Sequence, residues 1–119
     1  DLIHQVLKGA YWSKNRAKAT IKKSIDNSRC YGLFLNEEQV GFARVVTDTC
    51  VFAYIMDVFI IEKHQSKGYG NRLISEILND LELKDIKQWY LKTKNAHAFY
   101  KSVGFKSEDE KQYWLKKIK

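Results

Sequence analysis

Residues Gln65-Ser66-Lys67-Gly68-Tyr69-Gly70-Asn71 follow the apolar run Tyr54 to Ile61 after three polar residues, Glu62-Lys63-His64, and stand directly before an amphipathic run. The order reads as strand, glycine loop, helix. Glycines let such a loop turn tightly and bring its backbone close to a ligand. The unpaired N–H groups of the following helix then point at bound oxygens, aided by the helix dipole. The chemistry that suits this arrangement is phosphate binding, and Lys67 and Arg72 add positive charge beside it. One carboxylate, Asp57, interrupts the apolar run, where a charge is costly unless it is paired or used.

The elements that must position these residues follow from periodicity. Leu2, Ile3, Val6 and Leu7 mark one helical face, and Ser13 is placed to cap a second helix carrying Ala17, Ile21 and Ile25. Cys30–Leu35 and Gln39–Thr47 read as a hairpin around Asn36-Glu37-Glu38, and Cys50–Ile61 reads as a central strand buried on both faces. Both cysteines read as small buried residues, because they lack the close Cys/His spacing of a zinc site. Leu73, Ile74, Ile77, Leu78 and Leu81 mark a helix starting near Asn71. Trp89–Thr93 is a short strand returning parallel to the central one. Asn95 is placed to cap a helix lined by Ala96, Phe99, Tyr100 and Val103, which Gly104 ends, and Gln112–Ile118 reads as a last strand. The expectation is an α/β chain with a mixed central β-sheet flanked by helices.

A length of 119 residues accommodates one compact domain, and no proline, repeat or Gly/Ser-rich linker divides residues 1–119. No apolar stretch is long enough for a membrane span and no signal-peptide pattern opens the chain, so a cytoplasmic protein with no membrane partner is expected. No metal site is expected. The formal charge of +7 favours anionic partners, with solvated lysines as the plain alternative.

Three phosphate cradles compete for the loop. A P-loop needs Gly-x-x-x-x-Gly-Lys-Ser/Thr, and a dinucleotide fold needs a third glycine where Leu73 stands. Neither pattern is present. Gln65-Ser66-Lys67-Gly68-Tyr69-Gly70 resembles the Gln/Arg-x-x-Gly-x-Gly/Ala coenzyme A signature of the GNAT superfamily of N-acetyltransferases. Downstream, Asn95-Ala96-His97-Ala98-Phe99-Tyr100-Lys101-Ser102-Val103-Gly104-Phe105 resembles the second GNAT signature, an Asn followed by a helix ending in Phe-Tyr-x-x-x-Gly-Phe. Two motifs in the right order, in a chain covered almost end to end, identify a single GNAT-like domain.

The resemblance implies acetyl transfer from acetyl-CoA to a primary amine of unidentified acceptor, by a monomer or homodimer. It implies that backbone groups of Phe59, Ile60 and Ile61 pair with the pantetheine arm where the central strand splays from its neighbour. The N–H groups of Gln65, Ser66, Lys67, Gly68, Tyr69, Gly70 and Asn71 would hold the pyrophosphate, and Asn95 the pantetheine or phosphate region. Tyr100 would face the thioester sulfur. The chemistry agrees, since a phenol with an ordinary pKa of about 10 can donate to a departing thiolate. Asp57 is a candidate base for the incoming amine, with a structural carboxylate bonded to Arg44 as the alternative.

Plainer explanations stand beside these. Tyr100 could be an amphipathic core tyrosine, His97 an unremarkable first-turn residue, Tyr11 and Trp12 core aromatics, and Glu108-Asp109-Glu110 a solvated turn. GNAT domains usually begin with a β-strand, whereas this sequence opens with helical periodicity. The N-terminal edge strand is therefore expected to be missing, leaving an open sheet edge. A coenzyme-A-binding or sensing module without catalysis is the second functional reading. Nucleic-acid binding through the Lys14–Lys23 segment is third, disfavoured because no nucleic-acid motif accompanies those lysines.

Overall fold

The computed structural model describes residues 16–107 and 114–119. The expectations for Leu2–Leu7, Tyr11, Trp12, Ser13, Lys14, Glu108–Glu110 and Gln112 lie outside these residues. In chain order the elements are α1 (Lys18–Asp26), β1 (Arg29–Leu35), β2 (Glu38–Thr47), β3 (Phe52–Ile60), α2 (Tyr69–Leu78), β4 (Gln88–Leu91) and α3 (His97–Ser102). The strands form one mixed sheet in the order β1-β2-β3-β4. The first two pairings are antiparallel and β3–β4 is parallel, so the fold is the expected α/β sheet with helices on its faces.

The hairpin turn is tighter than the sequence suggests. Asn36 and Glu37 both adopt positive φ, 51° and 75°, the two-residue geometry whose twist matches a β-hairpin, and β2 begins at Glu38. The next turn is tied by Asp48, whose Oδ1 accepts from the N–H groups of Cys50, Val51 and Phe52. Cys50 therefore belongs to this turn and not to the central strand. It is exposed, as is Cys30 on the edge strand β1, so neither cysteine is the buried residue expected.

Residues Val40 to Val45 of β2 are all buried, making β2 the strand covered on both faces. The expectation placed that role on β3, which instead alternates between buried and half-buried positions. Phe52 and Tyr54 occupy its half-buried positions and join an aromatic layer, Phe52 stacking on Tyr90 and Tyr90 meeting Trp114 edge-on. One sheet face is covered by α2, where Leu73, Ile74 and Ile77 pack on Ala43, Val45, Ala53 and Ile55. Each of the Leu, Ile and Val side chains among these contributes about 1.5–3 kcal/mol by leaving water. The other face is covered by α1, where Ile21 packs on Phe42 and Phe59.

Helix boundaries also differ from the periodicity. α1 starts only at Lys18, with Ala17 as its N-cap residue in an extended conformation. α2 ends at Leu78, because the Asp80 side chain accepts from the Glu82 N–H and starts a separate 3-10 turn, Leu81–Leu83. Leu81 is consequently 80 % exposed and no part of the buried face. Asn95 does not cap α3. Ala96 is the N-cap residue, and its N–H donates to Thr93 Oγ1 at 3.0 Å. The other end of α3 closes as expected: Gly104 takes φ of 105°, its N–H reaching the Lys101 carbonyl and that of Phe105 the Tyr100 carbonyl. That is a Schellman closure, with the Tyr100 and Phe105 rings in edge contact. Residues 114–119 carry no strand, in contrast to the expected Gln112–Ile118.

Candidate active site

The site begins at an irregularity in β3. Arg44 pairs with Met56 and Phe42 with Phe59, so two β2 steps face three β3 steps and β3 carries one extra residue. Asp57 absorbs it with φ of 56°, in the left-handed region that a non-glycine residue enters at a cost. The extra residue exchanges the faces of the strand. Before it, Ala53 and Ile55 point to the α2 core; after it, Val58 and Ile60 do, while Phe59 and Ile61 join α1.

The same segment loses its second neighbour. The β3–β4 pairing ends at Ile55 opposite Leu91, yet β3 runs on to Ile60. The Ile61 N–H donates to the Val40 carbonyl at 2.8 Å, which directs the main-chain groups of Ile61, and of Phe59 two residues earlier, toward β2. Alternation turns those of Ile60, and of Val58 before it, to the side that β4 has left. Gln65 marks that side, because its Nε2 donates to the Ile60 carbonyl at 2.8 Å. Of the three residues expected to offer main chain here, Ile60 faces the gap and Phe59 and Ile61 face β2. Val58, which was not among the expected residues, faces the same side as Ile60, two positions on.

Beyond the gap lies the glycine loop. Ser66 and Gly68 take positive φ, 62° and 84°, and Gly68 is the N-cap residue of α2 without any side-chain cap. The Arg72 N–H closes the first helical bond on the Gly68 carbonyl at 3.1 Å, so the N–H groups of Tyr69, Gly70 and Asn71 precede the helical ladder. Lys67, Asn71 and Arg72 are exposed beside them. The two signature segments meet here: a Cβ added at Gly70 would lie 3.6 Å from Phe99 Cζ.

Tyr100 is half-buried, its ring against Phe99 and Phe105. Asn95 and His97 are exposed. Tyr100 also borders a cavity of about 1240 Å³ running along β4, which Tyr54, Tyr90 and Trp114 line but the glycine loop does not. Leu91, where the β3–β4 pairing ends, also lines that cavity.

Asp57 has a fully buried side chain held by two guanidinium groups. Arg16 Nη1 donates to both its oxygens at 3.1 and 3.0 Å, and Arg44 Nε donates to Oδ2 at 2.9 Å. The sequence offered Arg44 as a partner; Arg16 was legible only as one of several basic residues. A second network fastens β1 to the end of α2. Tyr31 Oη donates to Asp80 Oδ2 at 2.6 Å, and Arg29 bonds both Tyr31 Oη and Asp80. The Tyr31 bond, the Glu82 N–H and Arg29 hold the Asp80 carboxyl down to about 2, while burial and Asp80 push the Tyr31 phenol up to about 12.

Residues 26–107 match the acetyltransferase (GNAT) domain family. The uncharacterized N-acetyltransferase ycf52-like of Prochlorococcus marinus is 34% identical over 91% of this chain and 64% of its own length. The chain thus spans less than two thirds of that relative. A crystal structure from Xanthomonas campestris pv. campestris, described as an acetyltransferase of the GNAT family, shares 33% identity. It superposes with a TM-score of 0.92 over 98% of this chain and 83% of that one. A GNAT family acetyltransferase from Elizabethkingia anophelis with acetyl-CoA bound, 21% identical, shares the fold at a TM-score of 0.65 over 77% of this chain and 63% of its own. The chain belongs to the GNAT family of acetyltransferases, a class of acyltransferases.

Proposed function

We propose that the protein transfers an acetyl group from acetyl-CoA to a primary amine. The observation that carries this reading is the parting of β3 from β4, which leaves the main-chain groups of Val58 and the N–H of Ile60 without a β4 partner, while the Ile60 carbonyl is taken by Gln65. The residues fit a pyrophosphate-bearing thioester. Ser66 and Gly68 take the left-handed conformations that suit an anion-binding turn, the first turn of α2 offers three N–H groups, and Lys67 and Arg72 supply charge. The bound structure from Elizabethkingia anophelis supports the same ligand for this fold.

Acetyl-CoA supplies an activated carbonyl whose oxygen gains negative charge as an amine adds, and a thiol that leaves. The Val58 N–H is the donor for that oxygen, preorganised by the strand and costing no reorganisation. Ile60 aligns the pantetheine amides, and Gln65 ties the loop to the strand. Asn95 contacts the pantetheine or phosphate region. As the carbon–sulfur bond breaks, the Tyr100 phenol donates its proton to the departing sulfur; the proton lost by the adding amine passes to solvent, from which the phenol regains one. Asp57, buried and ion-paired, holds the bend that turns Val58 to the gap; we assign it this positioning role in place of proton abstraction.

The test is thiol release from acetyl-CoA across a panel of amines, for wild type and Tyr100→Phe, with coenzyme binding measured by calorimetry. Turnover that falls about 100-fold in Tyr100→Phe while binding persists supports the assignment, since general acid catalysis contributes on that order. Tight binding without turnover on any amine would favour the sensing module.

A further inference from the structure

We propose that Arg16 binds the acceptor, and that the acceptor is a small amine carrying a carboxylate, of the amino-acid class. This rests on the acetyl-transfer reading. Two guanidinium groups meet one carboxylate at Asp57. Arg44 is spent there: it is 7 % exposed, and its remaining nitrogens reach the neutral Ser28 Oγ and Met56 Sδ at 2.9 and 3.4 Å. Asp26, the acidic residue of α1, is paired with Lys22. Among the described residues the cluster therefore keeps one surplus positive charge.

Arg16 is where that surplus is displayed. Its side chain is 24 % exposed, only Nη1 engages Asp57, and Nε and Nη2 take no partner among the described residues. The Asp57 carboxylate fixes the guanidinium plane in advance, so an anion docking there pays little to order it. A planar fork of N–H donors matches a carboxylate bidentately, which a lysine would not.

Position makes this an acceptor contact. The phosphate loop and α2 lie on one face of the sheet, and the Arg16–Asp57–Arg44 cluster lies with α1 on the other. A donor thioester entering from the α2 side leaves the α1 side for the amine. The Asp57 side chain and one peptide unit separate the Arg16 guanidinium from the Val58 N–H, a reach of about 9 Å at most. An α-amino acid is short enough to bridge the two: its carboxylate sits about 2.8 Å from a guanidinium and its attacking nitrogen about 3 Å from an acyl carbon whose oxygen accepts from Val58.

The test compares kcat/KM for α-amino acids and their matched carboxamides, which keep the amine and the side chain but lose the anion. Wild type, Arg16→Gln and Arg16→Lys are assayed, with acetyl-CoA binding followed by calorimetry in each. The wild type is expected to prefer the acids by about 10-fold or more, the worth of a charge-assisted hydrogen bond. In Arg16→Gln that ratio should fall toward unity, chiefly through acceptor KM, with coenzyme affinity retained; Arg16→Lys should recover part of it. Equal use of acids and amides by the wild type, or an undiminished ratio in Arg16→Gln, would overturn the inference and leave acetyl transfer standing. Absence of coenzyme binding by the wild type would overturn the acetyl-transfer reading and this inference with it. Should Arg16→Gln fail to fold, the wild-type acid-to-amide ratio decides alone.

Discussion

Arg44 on β2 donates its Nε–H to Asp57 on β3 at 2.9 Å, at the position where β3 holds one residue more than its partner. The pair therefore fastens the irregularity that reverses the strand's faces and opens Val58 and Ile60 to the gap. Replacing Arg44 by Leu removes one of the two guanidinium groups from a carboxylate whose side chain is fully buried. We predict a loss of about 3–5 kcal/mol in urea unfolding, the usual cost of breaking a buried pair from one side.

Gly68 and Gly70 separate backbone strain from crowding. Gly68 stands in the left-handed region with open space around it, so Gly68→Ala costs about 1–2 kcal/mol of conformation and disturbs the loop, weakening coenzyme binding. Gly70 lies inside α2 with only Phe99 in ordinary contact. Gly70→Ala should gain about 0.5–1 kcal/mol with coenzyme affinity kept. Thermal unfolding and calorimetry on the two variants check the contrast.

The link between β1 and the end of α2 carries a pH dependence. The folded Asp80 carboxyl titrates near 2, below its ordinary 3.8, so its stabilisation is fully present above about pH 4 and is lost as pH falls from about 4 to 2. Tyr31→Phe removes the leading cause of that depression. The variant should be less stable at pH 7 by about 1 kcal/mol and show a shallower acid limb in the same window.

Much of this organisation is legible in the sequence because it is local. The glycine-bearing segment Gln65–Asn71 before α2, the position of the hairpin and the Gly104 closure each follow from a few contiguous residues. What escaped depends on partners distant in sequence. Nothing around Asp57 announces an extra strand residue, since it exists only relative to β2. Arg16, 41 residues from Asp57, reads as one more basic residue. Leu81 continues the spacing of Ile77, but the Asp80 side chain starts a new turn before it. Cys30 and Cys50 have apolar neighbours, yet one is exposed on the edge strand β1 and the other sits in the Asp48 turn.

Those two thiols give a further prediction. Both are exposed, so both should react with a maleimide without denaturant. Each reacts more slowly than a free thiol, because its pKa is raised, that of Cys50 chiefly by its hydrogen bond to Asp48 and that of Cys30, an exposed residue whose sulfur turns in toward the Ile25 carbonyl, chiefly by partial desolvation of that sulfur. Asp48→Asn should speed labelling of Cys50 and leave Cys30 unchanged, as peptide mass spectrometry would record.

A calorimetric titration of the wild-type protein with acetyl-CoA, followed by thiol release when amines are added, tests acetyl transfer at its first step. We predict saturable one-site binding, and thiol release that depends on both the amine and Tyr100. A protein that binds no acetyl-CoA, with the fold intact by circular dichroism, would contradict the account at its root.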